Sequence, residues 1–270
     1  MPELPEVETS RRGISPHIIG SSINEIVIRQ PQLRWKIPAE LGDHLQNKQL
    51  LSIDRRAKYL LLNFESGTLL IHLGMSGSLR ICPLKSIVEK HDHVDFVFDQ
   101  CLLRYTDPRR FGAILWLGLT PQDSTLLSHL GPEPLSEAFT GKHLFELAGK
   151  RKLSVKQFIM DQKVVTGVGN IYATEALFMA GISPIRAAGN ISLKRYRLLT
   201  TAIKEILEAA IKQGGTTLKD FVGGDGKPGY FQQTLHIYGK TGANCPKCKT
   251  ALKSLKLASR NSVYCPICQK

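Results

Sequence analysis

Residues 59–75, YLLLNFESGTLLIHLGM, are two short apolar runs separated by the turn signal ESGT. Runs this short, dense in leucine, isoleucine and aromatic residues and bounded by turn formers, read as β-strands. The same signature recurs on both sides. INEIVIRQ (23–30) lies upstream, and VDFVFD (94–99) and AILWLGL (113–119) lie downstream. Residues 22–117 therefore read as a β-sandwich or barrel-like half. One helix interrupts it, expected over Pro38–Asn47 with Leu41 and Leu45 on one face.

GPEPLS (131–136) reads as a linker, and a helical period takes over after it. In the clearest helix, Ser192 is the N-cap, Leu199, Ile203, Ile206, Leu207, Ala210 and Ile211 form the apolar stripe, and Gly214 and Gly215 are the stop. GGDGKPGYFQQ, from Gly223, is too rich in glycine for a regular element and reads as a loop or linker. The fold class is α+β.

The 270 residues allow two ordinary domains or one large one, and 42% apolar residues support a real core. No run approaches the roughly 18 apolar residues of a membrane span, and the acidic start lacks a signal peptide's basic flank. A soluble, intracellular protein without a membrane partner is expected. The net charge is +13, but residues 1–135 hold 15 Lys+Arg against 15 Asp+Glu and residues 136–270 hold 21 against 8. So basic a second half attracts polyanions, of which nucleic acid is the commonest.

Four of the six cysteines form CPKC (Cys245, Cys248) and CPIC (Cys265, Cys268), with sixteen residues between the pairs. This spacing suits four thiolates around one tetrahedral Zn²⁺, and no open coordination position is suggested, so the metal reads as structural. Its task is to fold a segment too short to bury a core of its own. Cys82 and Cys101, in apolar runs, read as buried thiols.

The chain opens MPELPEVE. A small residue after Met1 favours removal of the methionine, which leaves Pro2 with a terminal secondary amine. Such an amine titrates near a pKa of about 8, so on the order of a tenth is neutral at pH 7. Its adduct with an aldehyde is an iminium with no nitrogen proton to lose, a persistent electron sink. Glu3 is adjacent and can donate or accept the proton. Pro5, Glu6 and Glu8 read as a helix's first turn, with acids placed to complement the dipole.

PELPEVE, RRAKYLL, HLGMSGSLR, DPRRFG, DQKVVTGVGNIYATEALF, GGTTLKDF, DGKPGYF and CPKC…CPIC, in this order across the whole chain, resemble bacterial formamidopyrimidine-DNA glycosylases. The resemblance implies an N-terminal β-sandwich with flanking helices (1–131), a helix-two-turn-helix domain (136–222), a lesion-proximal loop and linker (223–235) and a four-cysteine zinc finger (236–270). It implies that duplex DNA binds in a cleft between the lobes. Oxidised purines are then excised and the strand cut at the abasic site by β- and δ-elimination, by a monomer acting in the bacterial cytoplasm at the nucleoid.

By the same resemblance Pro2 attacks C1′, Glu3 protonates the opening sugar, and Glu6 holds the helix and site geometry. Lys58 and Arg260 join the catalytic set at the phosphates, and His72, His91 and Asn170 bind DNA. Met75, Arg109 and Phe111 fill the gap left by the flipped nucleotide, and Lys156 lies near the oxidised base. Thr217–Tyr230 matches a loop that closes over that base.

Several residues support these roles independently. GVGN opens a helix at Asn170, where N–H groups favour an anion. Arg260 lies among Lys247, Lys249, Lys253 and Lys256, with no acid between the cysteine pairs. Met75 and Phe111 sit on glycine- and proline-bounded tips, where an apolar wedge is unexpected unless it enters something. Two departures from the family pattern are Lys249, where glycine is usual, and SRNSVYC, where the family is richer in glycine. An endonuclease VIII-like preference for oxidised pyrimidines and a non-catalytic DNA-binding relative remain as alternatives.

Overall fold

A computed structural model of the chain describes residues 2–214 and 235–270. The segment read as a loop from Gly223, and the Thr217–Tyr230 match, lie outside the described residues, save for Leu235. Contacts divide the described residues into a first compact unit, 2–128 with 211–214, and a second, 129–210 with 235–270.

The first unit opens with α1 (Leu4–Ile18), which has Glu3 at its N-cap and Pro5 in the first turn, where a missing N–H is harmless. Eight strands follow: β1 (Glu25–Ile28), β2 (Leu50–Arg56), β3 (Tyr59–Phe64), β4 (Gly67–His72), β5 (Ser78–Cys82), β6 (Asp92–Val97), β7 (Leu102–Thr106) and β8 (Ala113–Trp116). They form two antiparallel sheets, ordered β1-β6-β7-β5 and β2-β3-β4-β8. Ile53, Leu60, Leu62, Leu69 and Ile71 of one sheet share a core with Leu79, Val94, Phe96, Leu103 and Tyr105 of the other. The half is thus a sandwich, and Val7, Ile14 and Ile18 of α1 join the same core.

α2 is shorter than its sequence pattern, covering only Leu41–Leu45, although Leu41 and Leu45 are both buried as expected. Gln46 turns extended and Asn47 takes a left-handed φ of 59°, which ends the helix. Cys82 and Cys101 are half-buried rather than buried, because Cys82 is the last residue of β5 and Cys101 lies just before β7.

The second unit contains α3 (Gly141–Ala148), α4 (Val155–Ile159), α5 (Asn170–Met179), all but the last two residues of α6 (Leu193–Lys212), and the hairpin β9 (Lys253–Leu257) and β10 (Arg260–Tyr264). α6 buries Leu199, Ile203, Ile206, Leu207 and Ala210, with Ser192 Oγ accepting the Arg195 N–H, while Ile211 is only half-buried. α5 is buried on nearly every side. Phe178 of α5 shares a core with Ile237, Cys245, Leu252, Val263 and Cys265, so the cysteine segment is built onto that helix. Lys247 lies over the Phe178 ring at 4.8 Å, with its ammonium 3.5 and 3.4 Å from the Phe178 and Met179 carbonyls. This lysine therefore caps the C-terminus of α5. Among the described residues no helix is long and apolar enough to cross a membrane.

Candidate catalytic and nucleic-acid-binding site

Pro2, Glu3 and Glu6 are all buried at the start of α1. The Glu6 carboxylate accepts the Glu3 N–H at 2.8 Å, which fixes the backbone immediately after Pro2. Pro2, Glu3 and Glu6, to which the resemblance assigns attack, proton transfer and positioning, thus lie together at one helix entrance. Glu8 differs from its dipole reading, because it lies in the second turn. Its carboxylate instead accepts from Arg11 (2.9 and 3.0 Å), Arg12 (2.8 Å) and Arg55 (3.2 Å), tying α1 to β2. Burial opposes its ionisation, but the guanidinium of Arg11, joined by Arg12 and Arg55, holds the pKa down at about 2.

Arg56 pairs with Tyr59 across the sheet, leaving Ala57 and Lys58 as a tight hairpin turn. Ala57 adopts a left-handed φ of 55°, and its carbonyl accepts from Arg55 at 3.0 Å. Lys58 thus projects from a turn rather than from a strand face. His72 ends β4, with its ring 5.1 Å from that of Tyr59. Burial, then the charges of Lys58 and Arg34, push its pKa down to about 4. Since Nδ1 accepts the Gly74 N–H at 3.2 Å, the proton of the neutral ring is on Nε2, which leaves a donor suited to phosphate.

The tips bearing Met75, Arg109 and Phe111 are joined by a residue that sequence reasoning missed. Asp107 is fully buried, and its carboxylate accepts from Ser76 Oγ (2.7 Å), Tyr105 Oη (3.2 Å), the Arg109 N–H (3.3 Å) and the Gly112 N–H (2.9 Å). The signal lay in DPRRFG, where an aspartate before a proline-bounded turn commonly bonds its own backbone. Gly74, at φ 62°, brings the loops together, since a Cβ there would lie 2.4 Å from the Gly112 nitrogen. Above this clamp Met75 is half-buried, Phe111 is 46% exposed, and the Arg109 guanidinium stacks on Phe111 at 4.9 Å. His91 is half-buried before β6, and its carbonyl accepts the Asp107 N–H at 3.1 Å.

In the second unit Asn170 is the first residue of α5, and its Oδ1 is buried without a partner among the described residues. Further along that helix, the buried Glu175 carboxylate accepts the N–H groups of His236, Ile237 and Tyr238 at 2.7–2.9 Å, and His236 Nδ1 lies 3.0 Å away. Glu175 therefore fastens the entry to the cysteine segment, which an acid inside IYATEALF did not reveal. Lys156 is only 1% exposed, and its ammonium donates to Ser262 Oγ at 2.8 Å. That bond ties α4 to β10, the strand begun by Arg260. A groove of about 340 Å³ runs between them, lined in part by Met160, Asp161, Leu257 and Arg260.

The hairpin turn before Arg260 is Ala258–Ser259, at φ 45° and 64°, and Lys249 after the second cysteine is at φ 65°. Both departures from the family's glycine pattern thus retain the left-handed backbone that glycine adopts more easily. The Sγ atoms of Cys245, Cys248, Cys265 and Cys268 all lie within 4.8 Å of one another, with pairs at 3.9 and 3.4 Å. Zn–S bonds of about 2.3 Å set tetrahedral sulfurs roughly 3.8 Å apart, so the four donors fit one ion.

Residues 1–114 match the model of the formamidopyrimidine-DNA glycosylase N-terminal domain, 130–222 the H2TH domain of the same enzymes, and 244–270 the zinc finger found in FPG and IleRS. The formamidopyrimidine-DNA glycosylase of Psychromonas ingrahamii is 75% identical over 269 residues, covering all of both chains. The chain belongs to the formamidopyrimidine-DNA glycosylase family. A second formamidopyrimidine-DNA glycosylase, from Pseudomonas putida strain GB-1, is 58% identical, again over the full length of both. Among solved structures, the Lactococcus lactis FPG mutant G226P in complex with Fapy-dG DNA superimposes with a TM-score of 0.93 at 34% identity, covering all of both chains. MutM in complex with carbocyclic 8-oxo-G DNA gives 0.91 at 36%, with the same coverage. The finger of this formamidopyrimidine-DNA glycosylase family member holds one structural zinc on its four cysteines.

Proposed function

We propose that this chain is a bifunctional DNA glycosylase and abasic-site lyase that removes oxidised purines, above all 8-oxoguanine and formamidopyrimidines, from duplex DNA. The observation that carries this reading is the buried Pro2–Glu3 pair, with Glu6 Oε2 accepting the Glu3 N–H at 2.8 Å. Once Met1 is removed, the Pro2 nitrogen attacks C1′ as the bond to the damaged base breaks, and Glu3 protonates the ring oxygen as the sugar opens. The resulting iminium draws electrons from C2′, so the 3′- and then the 5′-phosphate leaves by elimination. Glu6 positions the first two residues throughout.

The base must leave the stack for this chemistry. Phe111, Met75 and Arg109 fill the gap from loops clamped by Asp107. Lys58, His72, Asn170 and Arg260 bind phosphates, with His91 as a further DNA-facing residue. Lys156 acts through Ser262, holding the strand that begins at Arg260. Residues 1–131 carry the chemistry, 136–222 the helix-two-turn-helix contacts, 223–235 the lesion-proximal segment and 236–270 the finger. The enzyme acts as a monomer in the bacterial cytoplasm, on the nucleoid.

The L. lactis protein has also been captured with DNA containing an oxidised pyrimidine, which favours some activity of this chain on such bases. A lesion panel decides the ranking. Release of 8-oxoguanine opposite cytosine and of formamidopyrimidines is expected to exceed that of oxidised pyrimidines in kcat/KM. The reverse order overturns the purine assignment.

A further inference from the structure

The loop between β1 and α2 is held unusually firmly for a surface segment. Leu33 and Ile37 are buried in the sandwich core, the Ile37 N–H donates to the Pro31 carbonyl at 2.9 Å, and Gln32 bridges Lys36. The Arg34 N–H donates to the Gly112 carbonyl at 3.1 Å, pinning this loop beside Phe111. With Leu33 and Ile37 turned inward, Arg34, Trp35 and Lys36 are left outside. Trp35 is 36% exposed, and the Arg34 guanidinium lies over its ring at 4.6 Å.

Arg34 is also close enough to His72 and Tyr59 for its charge to act on both, as Lys58 does on His72. Among the described residues its guanidinium forms no ion pair. A solvated face has no need of a rigid loop presenting an aromatic plane under an uncompensated arginine. A nucleic-acid strand uses both features, because phosphate takes the charge and a base or sugar takes the ring.

We propose that Arg34 and Trp35 form a further DNA contact beside the Phe111 wedge, with the guanidinium on a backbone phosphate and the indole packed on the neighbouring nucleotide. This inference rests on the DNA-repair reading above. Both side chains act in binding and neither touches the reacting atoms.

The test uses the full-length zinc-loaded protein and a duplex carrying a tetrahydrofuran abasic analogue, titrated from 50 to 300 mM salt, roughly the range where counterion release is resolved. Arg34→Ala is expected to lower the slope of log Kd against log salt by about 0.9, the value for one phosphate contact, and to weaken binding several-fold. Trp35→Ala should weaken binding with the slope unchanged, and Trp35→Phe should restore most of the affinity. The emission that distinguishes wild type from Trp35→Phe should be quenched when DNA is added.

An unchanged slope in Arg34→Ala removes the phosphate contact, and an unquenched Trp35 removes the stacking contact. Borohydride trapping of the wild type on an abasic duplex is run alongside. Failure of wild type itself to trap would overturn the lyase reading, whereas the slope difference would still decide the Arg34 contact.

Discussion

Glu8 shows how a carboxylate beside the proposed catalytic residues can be structural. With three arginines on one carboxylate, its folded pKa of about 2 lies below the ordinary value of 4.5. A depressed carboxylate stabilises the fold above its unfolded pKa, and that contribution disappears as pH falls from about 4.5 toward 2. Glu8→Gln is therefore expected to cost about 2 kcal/mol at pH 7, with the difference from wild type narrowing as the acid range is entered. Urea unfolding at a series of pH values measures this, and a pH-independent difference would contradict it. His72 gives a second expectation of opposite chemistry. Burial and neighbouring cations keep it neutral, so its imidazole signals should titrate near pH 4 and DNA affinity should show no His72 step around pH 6.5. A normal midpoint by NMR would contradict the depression by burial and the neighbouring cations. At this scale Glu6 and Asn170 could be anticipated from helix-start patterns and the local turn bonds of Asp107 from DPRRFG, whereas the reach of Asp107 to Ser76 and the role of Glu175 could not. Both depend on donors that only the folded chain brings to them.

At the scale of elements, the strands legible in the sequence were those with apolar runs. β2, β5 and β7 were less so because they carry Asp54, Arg55, Arg80 and Arg104, which break the apolar pattern. Arg104 is nearly fully buried in a fork to Asp95 (2.8 and 2.9 Å), and its partner cannot be identified from local sequence. The two-residue turns are the other local surprise. Ala258 and Ser259 both hold left-handed φ angles at a cost of roughly 1 kcal/mol each, which Asn-Gly avoids. Replacing Ala258–Ser259 with Asn-Gly should therefore raise the melting temperature of the zinc-loaded protein while leaving Arg260 in register and DNA affinity unchanged. A lower melting temperature would show that the native turn makes contacts beyond its backbone.

At the scale of the whole molecule, the sequence separates a finger from the helical region, but the structure builds both around Phe178. Lys247 caps α5 and Glu175 fastens the entry to the finger. Zinc is therefore expected to support more than its own knuckle. Cys265→Ser should lose the metal and lesion binding, loosen the α5 contacts as read by hydrogen exchange, and leave the sandwich folded, because that half has its own core. Tight lesion binding without metal would refute the structural role of zinc.

The central claim, that the Pro2 amine is the nucleophile, is tested most directly by borohydride trapping on a duplex carrying 8-oxoguanine opposite cytosine, using protein whose mass shows Met1 removed. The account predicts a covalent protein–DNA adduct whose attachment maps to Pro2 and which is abolished by blocking the N-terminal amine. No adduct from zinc-loaded, DNA-binding protein, or an adduct mapping to a lysine, would contradict it.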